Sequence, residues 1–489
     1  MNALIWFVIL YWVISIGIGL AAGLLVKSSK DFALAGRSLP MYIVTATVFA
    51  TWFGAETVLG ISATFVDEGL KGIVADPFGS SMCLILVGLF FARPLYRMNL
   101  LTIGDYYKQK YGRLVEVLIT LCIVTSYLGW VAAQIKALGL VFNVISGGAV
   151  PMEVGMLIGA ASVLIYTLAG GMWSVAITDF LQMIIIVVGL MFIGWEISGM
   201  VGGAGNVIAH AHAAGKFEFW PSPTPRELMW FVAAWITMMF GSIPQQDIFQ
   251  RVSSSANEKI AGRSAILGGT LYFCFAFVPI YLAYSASLID PKMFAELIEK
   301  DPQLILPTLI MNQMPLLAQV LFFGALLSAI KSTASATLLA PSVMVTENIL
   351  RGLLPRQTDR QFLLTMRCVV LAFATIVTLF ALYSSASIFH MVENAYKVTL
   401  VAAFIPLAFG MYWKHATRQG ALAAIFLGFS SWILLEIFAP EGTFPPQLVG
   451  VLFSLAGMIA GSLLPQWVAG SANAVPDAAS SPNPERNPL

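Results

Sequence analysis

The chain has 489 residues, of which 58% are hydrophobic and only 10% charged, with a mean hydropathy of +0.84. A water-soluble domain with such a surface would aggregate, so lipid has to be the solvent. The net charge of +1 and the lack of a long charge run leave no electrostatic footprint for nucleic acid, and Cys83, Cys122, Cys274 and Cys368 all fall inside apolar runs, as small hydrophobes rather than a disulfide framework.

A helix crosses about 30 Å of hydrocarbon in roughly 20 residues. Thirteen stretches answer to that need: Ala3 to Leu25, Tyr42 to Phe65, Pro77 to Phe91, Val117 to Ile145, Met152 to Leu168, Val175 to Ser198, Leu228 to Phe249, Ala265 to Leu288, Leu316 to Val345, Phe362 to Tyr383, Phe389 to Trp413, Gly420 to Ile437 and Gln447 to Leu464. The first lacks a basic leader and a small-residue cleavage site and is read as a helix that stays. The stretch from Ser471 to Leu489, rich in Pro, Ser, Ala and Asn, is expected to be disordered. With the helices alternating in direction, Lys and Arg divide seventeen to five between the two sides, which puts the N-terminus outside and the C-terminus in the cytoplasm. The expected location is a plasma membrane, the inner membrane if the cell is bacterial.

Function is to be sought where the rules of the bilayer are broken, because backbone polar groups leave a helix in mid-membrane only where protein or a watery cavity satisfies them. The second stretch reads Ala50-Thr51-Trp52-Phe53-Gly54-Ala55-Glu56-Thr57, with glycine and an acid in mid-span. The seventh reads Gly241-Ser242-Ile243-Pro244-Gln245-Gln246-Asp247. Either break alone serves as a kink or a packing device as readily as a site. As a pair, five helices apart, they are what the first helices of two inverted repeats show, and they point to binding at the midplane. The expected division is 1–40 for the first helix and its inner loop, 41–200 for the first repeat (helices 2 to 6), 201–415 for the second (helices 7 to 11), 416–466 for the last two helices and 467–489 for a cytoplasmic tail.

In the ninth stretch Ala329, Ser332 and Thr333 are related as i, i+3 and i+4, so one carbonyl and two hydroxyls share a face that suits a hard cation such as Na⁺. Read alone, such a stripe of small residues is more often a close-packing surface between helices than an ion site. Lys331 points about 100° away from Ser332 and about 200° from Ala329, and a buried ammonium there needs a carboxylate partner or has to be neutral. Lys136, Lys397, Glu56, Asp76 and Asp247 are further ionisable residues inside spans, each either a site group or half of an ion pair within the bundle. His210 and His212 read as part of a solvated outer loop rather than a metal site.

These strings resemble the sodium/solute symporter family, with its sugar, proline, pantothenate and choline symporters, over nearly the whole chain up to about Leu464. The resemblance implies an all-α integral membrane protein of about thirteen spans, built on a five-plus-five inverted-repeat core as in amino-acid and neurotransmitter symporters. It also implies sodium-coupled symport of a small polar organic solute by alternating access, with Na⁺ as coupling ion, lipid as surroundings and a monomer as functional unit. By resemblance, backbone carbonyls of Ala50 and Phe53 join Ala329, Ser332 and Thr333 around sodium. Asp179, in the stretch Tyr166 to Gln182, lies near the sodium pathway; read without the family, it equally serves as the N-cap of helix 6.

Glu393 matches a sugar-binding position, while Trp52 and Trp130 match aromatic positions of the choline branch, where ring faces attract a quaternary ammonium. Read alone, each Trp is as well explained by packing. Two other positions of that cage hold Ser80 and Gln245, which leaves it incomplete, and Glu56 and Thr57 complete the substrate candidates. Gln250-Arg251 and the stretch Trp413 to Ala421 match family signatures, with their basic side chains expected to anchor the inner interface. Nothing in the chain has the form of an HExxH helix, a nucleophile elbow or a P-loop, so no enzyme is expected. Two other readings stand beside symport: a proton-coupled or sodium-independent transporter that uses Lys331 and Glu393, and a membrane sensor, for which the C-terminal tail is short. Amine, amino acid, carboxylate and sugar all remain open as substrates.

Overall fold

The computed structural model describes residues 3–468, and the expected disordered segment from Ser471 onward lies outside them. Among the described residues all regular structure is helical, apart from one isolated bridge between Leu39 and Ser255. Ten helices are long and apolar enough to cross a bilayer: Ala3–Leu25 (α1), Leu70–Arg97 (α3), Arg113–Ile145 (α4), Met152–Met200, Glu258–Ile289 (α8), Leu316–Gly352 (α9), Asp359–Tyr383 (α10), Ile388–Tyr412 (α11), Arg418–Phe438 (α12) and Pro446–Leu463 (α13). Two further crossings are bent pairs: Met41–Trp52 with Glu56–Glu68 at 52° (α2), and Pro225–Gly241 with Gln246–Ser253 at 41° (α7).

The 49-residue helix Met152–Met200 accounts for two of the expected stretches. Run straight at 1.5 Å per residue it would span about 74 Å, more than twice the hydrocarbon thickness. It turns instead at Gly171, whose φ of 48° and ψ of −131° are open only to glycine and whose missing Cβ makes room for the carbonyl and ring of Phe32. The halves are 152–170 (α5) and 172–200 (α6), which correspond to the fifth and sixth expected stretches. Some limits move: the third crossing starts at Leu70 and ends at Arg97, and the ninth runs on to Gly352. The His-Ala-His stretch is not loop but the helix Ala204–Ala213, with His210 Nδ1 3.1 Å from the Tyr284 hydroxyl.

Packing follows membrane logic, in which small residues let backbones approach because lipid offers no hydrophobic gain between helices. Gly428 and Gly450 meet between α12 and α13, and Gly420 meets Gly461 a little further along the same seam. In the core, α9 lies against α5, α6 and α4, α11 lies against α4, and α8 against α2. The two bent helices meet at their breaks near the middle of this bundle.

Candidate functional site

In α2 the Phe53 N–H closes the last turn onto Phe49 (3.0 Å), and Phe53 itself leaves the helix at φ −87°, ψ 70°. Helical bonding resumes when Val58 N–H reaches the Gly54 carbonyl (3.3 Å). The Ala55 N–H donates sideways to Gln134 Oε1 of α4 (3.0 Å) rather than back to Thr51. A helix end leaves its last carbonyls without intrahelical donors, and here that end, with Ala50 and Phe53, is buried in mid-protein. Gly54 is required by close approach: a Cβ there would stand 2.6 Å from Thr333 Oγ1 and collide with the Glu56 carboxylate.

The break of α2 therefore faces α9 at Thr333, a fully buried hydroxyl with no protein hydrogen-bond partner. Beside it, Ser332 Oγ donates to Asp179 Oδ1 (2.6 Å), while the Thr47 hydroxyl and, at 3.4 Å, the Thr51 hydroxyl donate to Oδ2. Asp179 thus ties α6 to α2 and α9 at once. It sits well inside α6, which removes the N-cap alternative. Buried hydroxyls, helix-end carbonyls and a nearby carboxylate form a hard oxygen donor set, the kind an alkali cation selects, and the partnerless Thr333 hydroxyl is the group such an ion would satisfy.

On the other side of the break four rings cluster. Trp52 meets Trp130 edge-on at 5.7 Å and stacks over Tyr396 at 6.1 Å; Trp130 lies 5.5 Å from Tyr396 and stacks on Tyr127 at 6.0 Å. Carboxylates edge this box. Glu56 accepts from Trp130 Nε1 (2.9 Å) and Gln134 Nε2 (2.7 Å). Asp247 accepts from the Tyr127 hydroxyl (2.6 Å) and Trp52 Nε1 (3.2 Å). Asp76 accepts from the Tyr272 hydroxyl (2.6 Å) and from Ser80, and the Tyr272 hydroxyl is 3.0 Å from that of Thr57. Gln245 donates to Ser126 Oγ (2.9 Å) and reaches Thr399 Oγ1 at 3.4 Å.

Trp52, Glu56, Thr57, Ser80, Trp130 and Gln245 are all buried near these groups, whereas Glu393 faces His390 at 3.5 Å, one turn along α11 from Tyr396. Tyr127, Tyr396, Gln134 and Arg251 were not among the expected site residues. For Tyr127 the signal was available, three residues before Trp130 and so on the same helix face.

Three expectations change. Glu56, Asp76 and Asp247 are not halves of side-chain ion pairs; neutral N–H and O–H donors hold them. Lys331 has no carboxylate partner among the described residues: its Nζ lies 2.9 Å from Ser15 Oγ and over the rings of Trp12 (4.5 Å), Tyr166 (5.4 Å) and Tyr11 (5.8 Å). Arg251, expected at the inner interface, is 1% exposed and turned into the bundle, where Nε donates to Thr51 Oγ1 and Nη1 to the Asp247 carbonyl, both at 2.8 Å. Of the half-buried bases, Lys397 pairs with Glu436 (3.6 Å) and Lys136 donates to the Ala386 carbonyl (2.6 Å).

A helical bundle whose two broken helices meet at Trp52 and Asp247, between a cluster of buried oxygen donors and an aromatic box, is the arrangement of a secondary active transporter of the fold shared by amino-acid and neurotransmitter symporters. The chain belongs to the sodium:solute symporter family, whose profile matches residues 32–428, and its coupling ion is sodium. It is 27% identical to the human (Homo sapiens) high affinity choline transporter 1 over 438 residues, 85% of this chain and 72% of that one. It is 23% identical to the sodium/pantothenate symporter of Escherichia coli (strain K12), over 88% of this chain and 90% of the other. In fold it matches a Na⁺-coupled sialic acid symporter with a TM-score of 0.82 at 18% identity, covering 95% of this chain and 98% of that one. A nucleobase-cation-symport-1 family transporter matches with a TM-score of 0.60 at 15% identity, over 89% and 95% of the two chains.

Proposed function

We propose that the protein carries a small organic cation, an amine or quaternary ammonium compound, into the cell with sodium across a plasma membrane, by alternating access, with its N-terminus outside and its C-terminus in the cytoplasm. One observation carries the substrate class. Glu56, bonded to Trp130 of the aromatic box, and Asp76, bonded to Tyr272 and Ser80, are buried and accept only from neutral donors, and among the described residues no Lys, Arg or His pairs with either. A buried carboxylate without a counter-charge is costly. A substrate ammonium supplies that charge, and the faces of Trp52, Trp130, Tyr127 and Tyr396 attract its positive surface. The similarity to choline transporters supports the same reading.

In this proposal Ala50, Phe53, Ala329, Ser332 and Thr333 surround sodium, with Asp179 beside its path. The repeats run over 41–200 and 201–415, and the working unit is a monomer. An inward potential of about 100 mV contributes about 2.3 kcal/mol for each charge moved, and a tenfold sodium gradient about 1.4 kcal/mol more. A cationic solute brings its own charge to that driving force. Lys331 and Glu393 face other partners, Ser15 and His390, which takes support from a proton-coupled route through them.

The test is uptake into proteoliposomes carrying an imposed sodium gradient and an inside-negative potential. Radiolabelled choline and small amines are expected to accumulate only with sodium present, and most strongly when the gradient and the potential act together. Accumulation of sugars or carboxylates in their stead, or uptake that ignores sodium, would reject the proposal.

A further inference from the structure

Arg251 spans the two halves of the site. It belongs to Gln246–Ser253, the second segment of α7, and its guanidinium bonds forward to Thr51 on α2 and back to the main chain of Asp247. Thr51 passes its own hydroxyl proton toward Asp179, the carboxylate that also receives Ser332. The next residue, Trp52, gives its indole N–H to Asp247. Two consecutive residues at the break of α2 are therefore tied, one to the carboxylate beside the oxygen cleft and the other to a carboxylate of the aromatic box. Arg251 bridges the two ties.

Arg251 Nη2 has no partner although it is buried. A rigid fork of donors in a dry interior is normally filled, because an unmet N–H there is expensive. We infer that Arg251 is the positioning residue through which sodium acts on substrate affinity. A sodium ion beside Ser332 and Thr333 competes with Thr51 and Arg251 for the field of Asp179. With that field spent on the ion, the fork stays on Thr51 and the Asp247 main chain and holds Trp52 and Asp247 in the box. Without the ion, the free Nη2 turns to Asp179 and draws the second segment of α7, with Asp247, away from Trp52. Because linkage is reciprocal, a cation held in the aromatic box tightens sodium by the same factor.

The inference rests on the symport reading, and one experiment separates their failures: equilibrium binding of radiolabelled choline to the purified full-length protein, with saturating sodium and with potassium in its place. In the unaltered protein sodium is expected to tighten choline about tenfold or more, within the usual range of coupling between sites. In Arg251→Gln that ratio falls below about twofold, and in Arg251→Lys, which keeps the charge and loses the fork, it falls part of the way. A merely structural role would weaken binding in both salts together and leave the ratio alone. Should Arg251→Gln fail to fold, Thr51→Val removes the other end of the bridge and is expected to collapse the ratio likewise. A folded Arg251 or Thr51 variant that keeps the full ratio overturns the inference and leaves symport standing. No sodium effect in the unaltered protein overturns both.

Discussion

Helix α9 offers two opposite surroundings for positive charge. One face, with Ser332 and Thr333, looks into oxygen atoms and toward Asp179; the other sends Lys331 among Trp12, Tyr11 and Tyr166 with a single hydroxyl, Ser15, on its Nζ. The difference is one of ligand chemistry. A small alkali ion gives up its hydration only to hard oxygens, whereas a larger, softer ammonium is well served by ring faces. The aromatic face seats an amine that never leaves because it is part of the chain, and it fastens α1 to the core. The oxygen face has a hydroxyl to spare, that of Thr333, as the proposed ion site requires.

The sharpest way to break this contrast is on the oxygen face. Asp179→Asn is expected to raise the sodium concentration for half-maximal uptake about a hundredfold and Thr333→Ala about tenfold, at roughly 1.4 kcal/mol per tenfold. Sodium activation curves that superimpose on the parent curve in both variants would remove the ion from this face. On the aromatic face Lys331→Met should leave the sodium curve within about twofold while lowering the melting temperature in detergent by about 2 °C, since the lost hydrogen bond to Ser15 is worth ~1 kcal/mol. A large sodium shift in that variant would return Lys331 to the coupling machinery. The smallest effect is expected from Glu393→Gln: its pair with the exposed His390 is of the kind worth ~0–1 kcal/mol, so half-saturation by substrate should change by no more than about twofold.

Much of this was legible in the chain itself, and the pattern of what was not is instructive. The two broken helices were visible because glycine, proline and acids inside apolar runs violate rules that lipid enforces residue by residue. The Ala329, Ser332, Thr333 face followed from helical spacing alone. Arg251 escaped because a count of basic residues by segment treats each as an interface anchor, and only the bend of α7 turns this one inward. Tyr127 and Tyr396 escaped because aromatic residues are common in apolar spans, and what distinguishes these two is convergence from separate helices. The aromatic seat of Lys331 was invisible for the same reason: its rings come from α1 and α5, far away in sequence.

The bend in α2 has a mechanical side. Its first half is moored by Thr47 and Thr51 to α6, while the second half is moored by Ala55, Glu56 and Thr57 to α4 and α8. The joint between them contains a residue with no side chain to jam it, the Thr57 hydroxyl reaches back across it to the Trp52 carbonyl (3.1 Å), and α8 packs on both halves. Under the alternating access proposed above, the polar ties of the first half would carry it with α6 and those of the second half with α4, the hinge between them being the glycine.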